Sequence, residues 1–392
     1  MYNDEILKAR ESYYDFILKS RINNYEFQIT PNSEVTPFAL CFALFGLNLI
    51  GKINLQKIDA DICAHTLRSG LLAYRDKRPT LTDLRFDKPF LQLLTFTLSS
   101  LYLINKIRDM PLDDIIPQLL VNDIDEYLER IGSLRGVPQS GNLSMFMAIL
   151  LIHARDYIGI NTNPQMEQWV ALHLNSMNQY GFWGNERGMS YLQFQNGYHQ
   201  YEIFEYLDID HPFTEVAAEN ISSLTDHQGH FAPYPGGGGC YDYDAVFIIT
   251  STKKMVRDHH SLLKKTAKTI LSEQNPDGGF GESHNVRPRS LKNIMASIHH
   301  LLFCNRKWEK AHLERLRYWI TLQRPKHNRI HNHWSIYSRE WNESNLWDSW
   351  FRMLAIARIQ CALNINNIKD WGFINYPGIG YHRALRDSLS KE

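Results

Sequence analysis

Ile270-Leu-Ser-Glu-Gln-Asn-Pro-Asp-Gly-Gly279-Phe280-Gly281 reads as the end of an apolar helix, a polar turn, and a Gly-aromatic pair leading into the next element. The same phrase stands at Leu174-Asn-Ser-Met-Asn-Gln-Tyr-Gly181-Phe182-Trp183 and at Ile221-Ser-Ser-Leu-Thr-Asp-His-Gln-Gly229-His-Phe231. Aligned on Gly181, Gly229 and Gly279, the copies lie 48 and then 50 residues apart. A looser copy runs from Trp319-Ile-Thr-Leu-Gln323 to His333-Trp334. Self-similarity at such a period is the mark of a repeat architecture.

The apolar pattern follows the same beat. Strongly apolar helices are expected near 36–50, 88–106, 142–156, 190–207, 241–255, 290–304 and 345–363. Amphipathic ones are expected near 3–20, 56–74, 112–131, 164–178, 213–225, 259–273 and 308–322. The run Leu91 to Ile104 carries no charge and is apolar nearly all round, as a helix enclosed on every side must be. Arg315 to Leu322 mixes polar and apolar residues, as a helix with one wet face does. Alternation of the two kinds predicts an all-α fold, an (α/α)6–7 toroid whose inner helices ring a cavity. No Pro/Gly-rich linker divides residues 1–392, so one toroid domain is expected. Pro233-Tyr-Pro235-Gly-Gly-Gly-Gly239 falls in phase with the other inter-helix loops and reads as a flexible loop entering an inner helix. Tyr376-Pro-Gly-Ile-Gly-Tyr381 reads as a loop that seals the ring.

Composition narrows the function classes. Lys+Arg and Asp+Glu number 42 each, which argues against nucleic acid and against a charged interaction tail. Five scattered cysteines without a CxxC pair suit a reducing compartment. The acidic N-terminus lacks the pattern of a signal peptide, and no apolar run is long enough to span a bilayer. A cytoplasmic protein acting on a small molecule is expected, with no cofactor or metal and with its oligomeric state open.

The 270–281 phrase resembles the repeat of the terpene cyclase and protein prenyltransferase β-subunit superfamily, the squalene cyclase-like α/α toroids. The resemblance covers about residues 165–360. It implies a cavity whose aromatic walls stabilise carbocations through their quadrupoles. Protonating cyclases of this superfamily hold a protonated Asp in an Asp-x-Asp-Asp motif at the head of an inner helix, whereas the zinc enzymes use Asp, Cys and His at the rim. Asp242-Tyr-Asp244 resembles the first motif but is followed by Ala245 in place of its third Asp. Cys240-Tyr241 is similar to the zinc enzymes' Gly-Cys-Tyr segment, but Gly238 stands where their Asp belongs. His299 and His300 lie about two turns too deep to complete such a site. DDxxD, HExxH, GxSxG and Gly-rich phosphate motifs are missing, as are the Cys and Cys-His ligands of lanthionine cyclases.

From the residues themselves, Asp242 and Asp244 open an inner helix, where one acid can serve the helix end while the other projects inward. His199 and Glu202, at i and i+3 in an unusually polar inner helix, can face the cavity together. These four are the catalytic candidates. Substrate-binding candidates are Tyr198, Tyr201, Cys240 and Tyr241, the rim arginines Arg287 and Arg289, and Trp347, Asp348, Trp350 and Arg352 at the last inner helix. Asp348 and Arg352, at i and i+4, are expected to pair. His327, His331 and His333 form a loose cluster that reads as surface. The leading expectation is a terpene-cyclase-like enzyme, an isomerase or lyase, working by Asp-mediated acid catalysis. The alternatives are a toroid enzyme acting on a saccharide or peptide, and a non-catalytic ligand-binding scaffold.

Overall fold

The computed structural model describes residues 2–55, 58–79, 82–184, 188–252, 257–286, 295 and 309–385. Within these, outer helices α1 (Tyr2–Lys19), α3 (Ala60–Asp76), α5 (Ile124–Ile131), α7 (Asn163–Asn175), α9 (Thr214–Ser222) and α11 (Arg257–Ser272) alternate with inner ones. The inner helices are α2 (Pro37–Leu49), α4 (Lys88–Leu103), α6 (Ser140–His153), α8 (Tyr191–Leu207), α10 (Gly239–Thr250) and α13 (Leu346–Leu363). A further helix, α12 (Glu309–Leu322), and a two-stranded antiparallel hairpin, β1 (Ile330–Asn332) and β2 (Ser335–Arg339), precede α13.

Four of the inner helices start where the sequence supplies a side-chain partner for a free N–H group of the first turn. Thr36, Asp87, Ser190 and Asn345 accept from Ala39, Phe90, Gln193 and Asp348 N–H, capping α2, α4, α8 and α13. The helices then bury nearly every side chain, which is why their sequences are apolar all round. They run parallel. Asn142 near the start of α6 meets His199 of α8, while Arg358 deep in α13 meets Thr250 at the end of α10.

The three repeat phrases build one and the same turn. Asn178, Asp226 and Asn275 open it, and their N–H groups donate to the carbonyls of Phe182, His230 and Gly279 at 2.7, 2.8 and 2.9 Å. The third residue after each opener is a glycine with positive φ: Gly181 (81°), Gly229 (98°) and Gly278 (95°). The structural register therefore places Gly278, not Gly279, in line with the other two. The fourth, looser copy is not this turn at all; His333 and Trp334 belong to the β-hairpin.

The ring closes with six inner helices. α10 lies directly against α13, with Tyr243 edge-on to Phe351 at 5.3 Å between ring centroids. The inner helix expected at 290–304 lies outside the described residues, and closure does not call on it. Phe280 goes straight to α13: its carbonyl accepts from Asn345 N–H at 3.1 Å, and its N–H donates to Ser349 Oγ at 2.8 Å. Between these two points the described residues 281–286 and 309–344 lie outside the ring.

The two ends of the ring differ. At the C-terminal ends of the inner helices, the loop after α13 runs across as a seal. Tyr376 Oη pairs with His153 Nδ1 at 2.9 Å, and Arg358 donates to the Tyr381 carbonyl at 3.0 Å. At the N-terminal ends lie α12 and the hairpin. Arg315 of α12 donates to the Leu224 carbonyl at 3.3 Å, and Glu314 accepts from Tyr191 N–H at 2.6 Å, so α12 sits over the start of α8. The hairpin sits over α4, where His333 Nε2 and Trp334 Nε1 lie 2.6 and 3.2 Å from Gln92 Oε1.

Phe280 is buried at the seam between the repeat turn and α13, next to Gly279, which packs closely on Phe16 and Ser344. Its replacement by Ala should cost about 3–5 kcal/mol, the usual result of emptying a buried aromatic site. Urea unfolding of Phe280→Ala beside the parent measures this; an unchanged midpoint would mean that the seam does not hold the ring closed.

Candidate functional site

The first two turns of α10 carry two carboxyl groups in opposite electrostatic situations. Asp242 sits among donors. His230 Nδ1 lies 2.8 Å from its Oδ2, Arg352 Nη1 donates to the same oxygen at 2.8 Å, and Phe231 N–H donates to Oδ1 at 2.8 Å. Burial opposes ionisation, but His230 and Arg352 outweigh it and hold Asp242 below its usual range. His230 reaches Glu273 Oε1 with its other nitrogen at 3.0 Å. Burial works against its charge too, yet Asp242 and Glu273 raise His230 to about 10, so it is an imidazolium at neutral pH.

The glycine run is what permits this contact. Gly237 has φ of 70°, and a Cβ there would lie 2.3 Å from both Asp242 Oδ2 and His230 Nδ1. Instead of a flexible loop, Gly236–Gly239 is buried, with Arg352 donating to the Gly236 carbonyl at 3.3 Å.

Asp244 has no such company. It is 1% exposed, and apart from a loose contact with Tyr198 neither carboxyl oxygen is matched by a donor. Burial first, then the neighbouring Glu202, drives its carboxyl well above the ordinary Asp range; Tyr198 beside it favours ionisation but is outweighed. Glu202 of α8 is fully buried and likewise raised, chiefly by burial. Its Oε1 accepts from Tyr243 Oη at 2.8 Å, and its Oε2 is unpartnered. Arg358, whose charge would favour ionised Glu202, is directed to Glu205 at 2.9 Å. Asp244 and Glu202 are therefore two carboxyl groups that burial pushes toward the protonated form.

Aromatic residues gather on α13, α2 and the hairpin. Trp347 of α13 lies 4.9 Å from Phe42, 4.3 Å from Phe351 and 4.4 Å from Trp334 of the hairpin, measured between ring centroids. Trp350 lies 4.7 Å from Phe45 and closes the next layer. Tyr198 and Tyr243 stand edge-on at 6.2 Å beside the two acids.

Several expected arrangements come out differently. His199 and Glu202 do not converge: His199 turns to α6, where Asn142 bonds its Nε2, and its Nδ1 lies 2.9 Å from the Gln195 carbonyl. Burial lowers its pKa to about 3, so His199 is a neutral ring with both nitrogens engaged. Asp348 and Arg352 do not pair. Arg352 crosses to Asp242, while Asp348 Oδ2 accepts from Arg339 at 3.1 Å and from Asn345 at 2.6 Å. Arg339 comes from β2 and also reaches Glu282 at 3.2 Å; Glu282, raised to about 7 by burial and by Asp348, is bonded by the Tyr234 hydroxyl. Tyr201 faces away from the acids, donating to the Gly181 carbonyl at 2.7 Å.

Cys240 is half-buried, one turn before Asp244, and burial keeps its thiol protonated and inert. Tyr241 packs against Tyr234 and Phe194 at 6.0 and 6.3 Å. Arg287, Arg289, His299 and His300 lie outside the described residues. His333 is bound to Gln92, and His331 is exposed, so the histidine cluster does not converge.

With this geometry in place, known proteins can be compared. The family model for the prenyltransferase alpha-alpha toroid domain matches residues 84–331. The chain belongs to this family. Comparison with curated proteins and with solved structures yields no match. The matched span runs from the entry to α4 as far as β1, so this toroid member completes its ring with α1 and α2 on one side and α13 on the other.

A pocket of about 390 Å³ opens at the far end of α8, lined by Tyr201, Phe204, Glu205, His211 and Ser251 among others. The candidate site is placed at Asp244 instead. Glu205 in that pocket is already matched by Arg358, Ser251 and the Arg383 N–H, and is held ionised near 2, whereas the Asp244 oxygens are unmatched.

Sequence reasoning missed His230, Glu273 and Arg339. A signal for His230 was present: the residue after the turn glycine is Phe182 in one copy and His230 in the next. Its raised pKa gives a signed prediction. An imidazolium gained on folding stabilises fully below about 6.5, the unfolded value, and its contribution is lost as pH rises toward about 10. The stability gap between the parent and His230→Gln should shrink over that window, by at most about 1.4 kcal/mol per pH unit. Urea melts across the pH range test this; a gap that stays constant or widens would contradict it.

Proposed function

We propose that this toroid is a terpene-cyclase-like enzyme in which Asp244 is the acid. The observation that supports the reading is the buried Asp244 carboxyl near Glu202, both pushed toward the protonated form by burial, in a ring whose inner helices also carry clustered aromatic side chains. A carboxylic acid held neutral at working pH can deliver a proton, and a dry site keeps water from quenching the cation that forms.

The step is an addition to an alkene. The Asp244 O–H bond breaks, a C–H bond forms at one alkene carbon, and the π electrons supply that bond. The adjacent carbon becomes cationic and is attacked by a further double bond of the same substrate. Loss of a proton from a neighbouring carbon regenerates an alkene, and the Asp244 carboxylate takes that proton back. Atoms balance as an isomerisation. Trp347, Phe42, Phe96 and Tyr198 present faces and edges to the charge as it moves, each contact worth about 0.5–2 kcal/mol. Asp242 has a different part: ionised and tied to α13, it fixes the first turn of α10, and Asp244 projects from the next.

The ion pairing around Asp242, Asp348 and Glu282 leaves few charged groups free for a saccharide or peptide. This favours an apolar substrate over the polar alternative.

Two substitutions separate the roles. Asp244→Asn should leave the fold intact and lower turnover of a linear polyene, followed by gas chromatography of the products, by about 10²–10⁴-fold. Asp242→Asn should instead destabilise the protein by about 3–5 kcal/mol, because it strands a buried guanidinium and imidazolium. Full turnover by Asp244→Asn would sink the assignment.

A further inference from the structure

The mouth of the ring, at the N-terminal ends of the inner helices, holds a cation that reaches across it. Lys88 is the first residue of α4, and Lys88, Gln92 and Phe96 follow at spacings of four, so they share one face of that helix. On this face Gln92 meets His333 and Trp334 of the hairpin, and Phe96 packs on Phe42 and Trp347 at 5.7 and 5.8 Å between ring centroids. The face therefore looks into the ring. The inner helices follow one another around it as α2, α4, α6, α8, α10 and α13, which sets α4 and α10 on opposite sides. Yet the Lys88 ammonium is close enough to interact with Cys240 of α10, as well as with His199 of α8 and His333.

Among the described residues no carboxylate answers Lys88. Its neighbour Asp87 is taken by Phe90 N–H at 3.0 Å and by Arg78 at 2.8 Å. Lys88 is half-buried, and burial lowers its pKa, as it does for an ammonium without a counter-charge. A second set of donors stands on the other side of Cys240. Arg339 is 3% exposed; its Nη2 reaches Glu282 and Asp348, while its Nε and Nη1 are buried and without partners. Those two acids abut the glycines just before Cys240. A Cβ on Gly238 would lie 2.9 Å from Glu282 Oε1, and one on Gly239 would lie 2.9 Å from Asp348 Oδ1. Buried cationic N–H groups without acceptors are costly, and one oxyanion between them would meet both. Charge narrows the choice further. Arg339 is balanced by Asp348, so Lys88 leaves a single positive charge unmatched.

We infer that Lys88 and Arg339 hold a carboxylate head of the substrate at the ring mouth, so that the substrate class is a polyene carboxylic acid. This rests on the acid chemistry proposed for Asp244, which lies one turn, about 6 Å, deeper than Cys240 on α10. The head stays at the mouth while the alkene chain runs inward past the acid to the aromatic side chains. Its charge also cancels that of Lys88, which would otherwise repel the carbocation formed below it. A diphosphate carries more negative charge than one unmatched cation can answer and is the poorer fit.

Calorimetric titration of the full chain with farnesoic acid is the test, with farnesol and farnesyl diphosphate as the neutral and the more highly charged heads on the same chain. The parent and Asp244→Asn should bind farnesoic acid alike and prefer it to farnesol by about 10-fold or more, the usual weight of a hydrogen bond to a charged group. Lys88→Met should abolish that preference while leaving farnesol affinity unchanged, and Lys88→Arg, which keeps the charge, should retain most of it. Lys88→Met should melt no lower than the parent, because it removes a cation without a counter-charge, so lost preference is not lost folding. No binding of farnesoic acid, equal affinity of the parent for acid and alcohol, a preference that survives Lys88→Met, or tighter binding of the diphosphate than of the acid would each overturn the inference. None of these readings involves turnover. Full turnover by Asp244→Asn would therefore sink the acid assignment and leave a Lys88-dependent preference in place.

Discussion

The bond from Arg352 to Asp242 joins the first and last partners of the ring's final seam, and much else follows from it. It carries α13 onto α10, and with His230 and Glu273 it makes a buried chain of alternating charges. Burying such a chain is costly unless each member is matched, and here the matching is close to complete. The consequence two residues later is an electrostatic contrast. Asp242 absorbs the nearby cations, and Arg358 is absorbed by Glu205, so Asp244 and Glu202 face each other with no cation of their own. Two carboxyls in a dry interior without a counter-charge stay protonated. Ionised seam and neutral acids are two results of one arrangement.

Much of this fold could be read in advance because an enclosed inner helix leaves a plain trace. The expected helices at 88–106 and 190–207 correspond to Lys88–Leu103 and Tyr191–Leu207, and the Gly-aromatic phrases fall at the turns between hairpins. The count of hairpins was not fixed that way. Residues 309–322 keep the same beat, yet the Phe280–Asn345 bridge carries the ring past them. Periodicity marks which segments are helical; it does not mark which of them a ring has room for.

The site was legible in location but not in wiring. Asp242 and Asp244 drew notice as a pair, and spacing alone cannot divide them, because the division depends on what neighbouring helices bring. His230 arrives from the preceding turn and Arg352 from a helix 110 residues later. The i, i+4 rule predicted Asp348 with Arg352, and it failed because each found a stronger partner across a helix boundary.

The central claim is that Asp244 holds its proton at neutral pH. Infrared difference spectroscopy of the carboxyl carbonyl stretch addresses it without a substrate. At neutral pH the parent should show protonated-carboxyl absorption that shifts in deuterated water, loses one component in Asp244→Asn and another in Glu202→Gln. If no protonated-carboxyl band exists at neutral pH, or if the band is indifferent to both substitutions, Asp244 is ionised or elsewhere engaged, and the account of this ring as an acid catalyst is wrong.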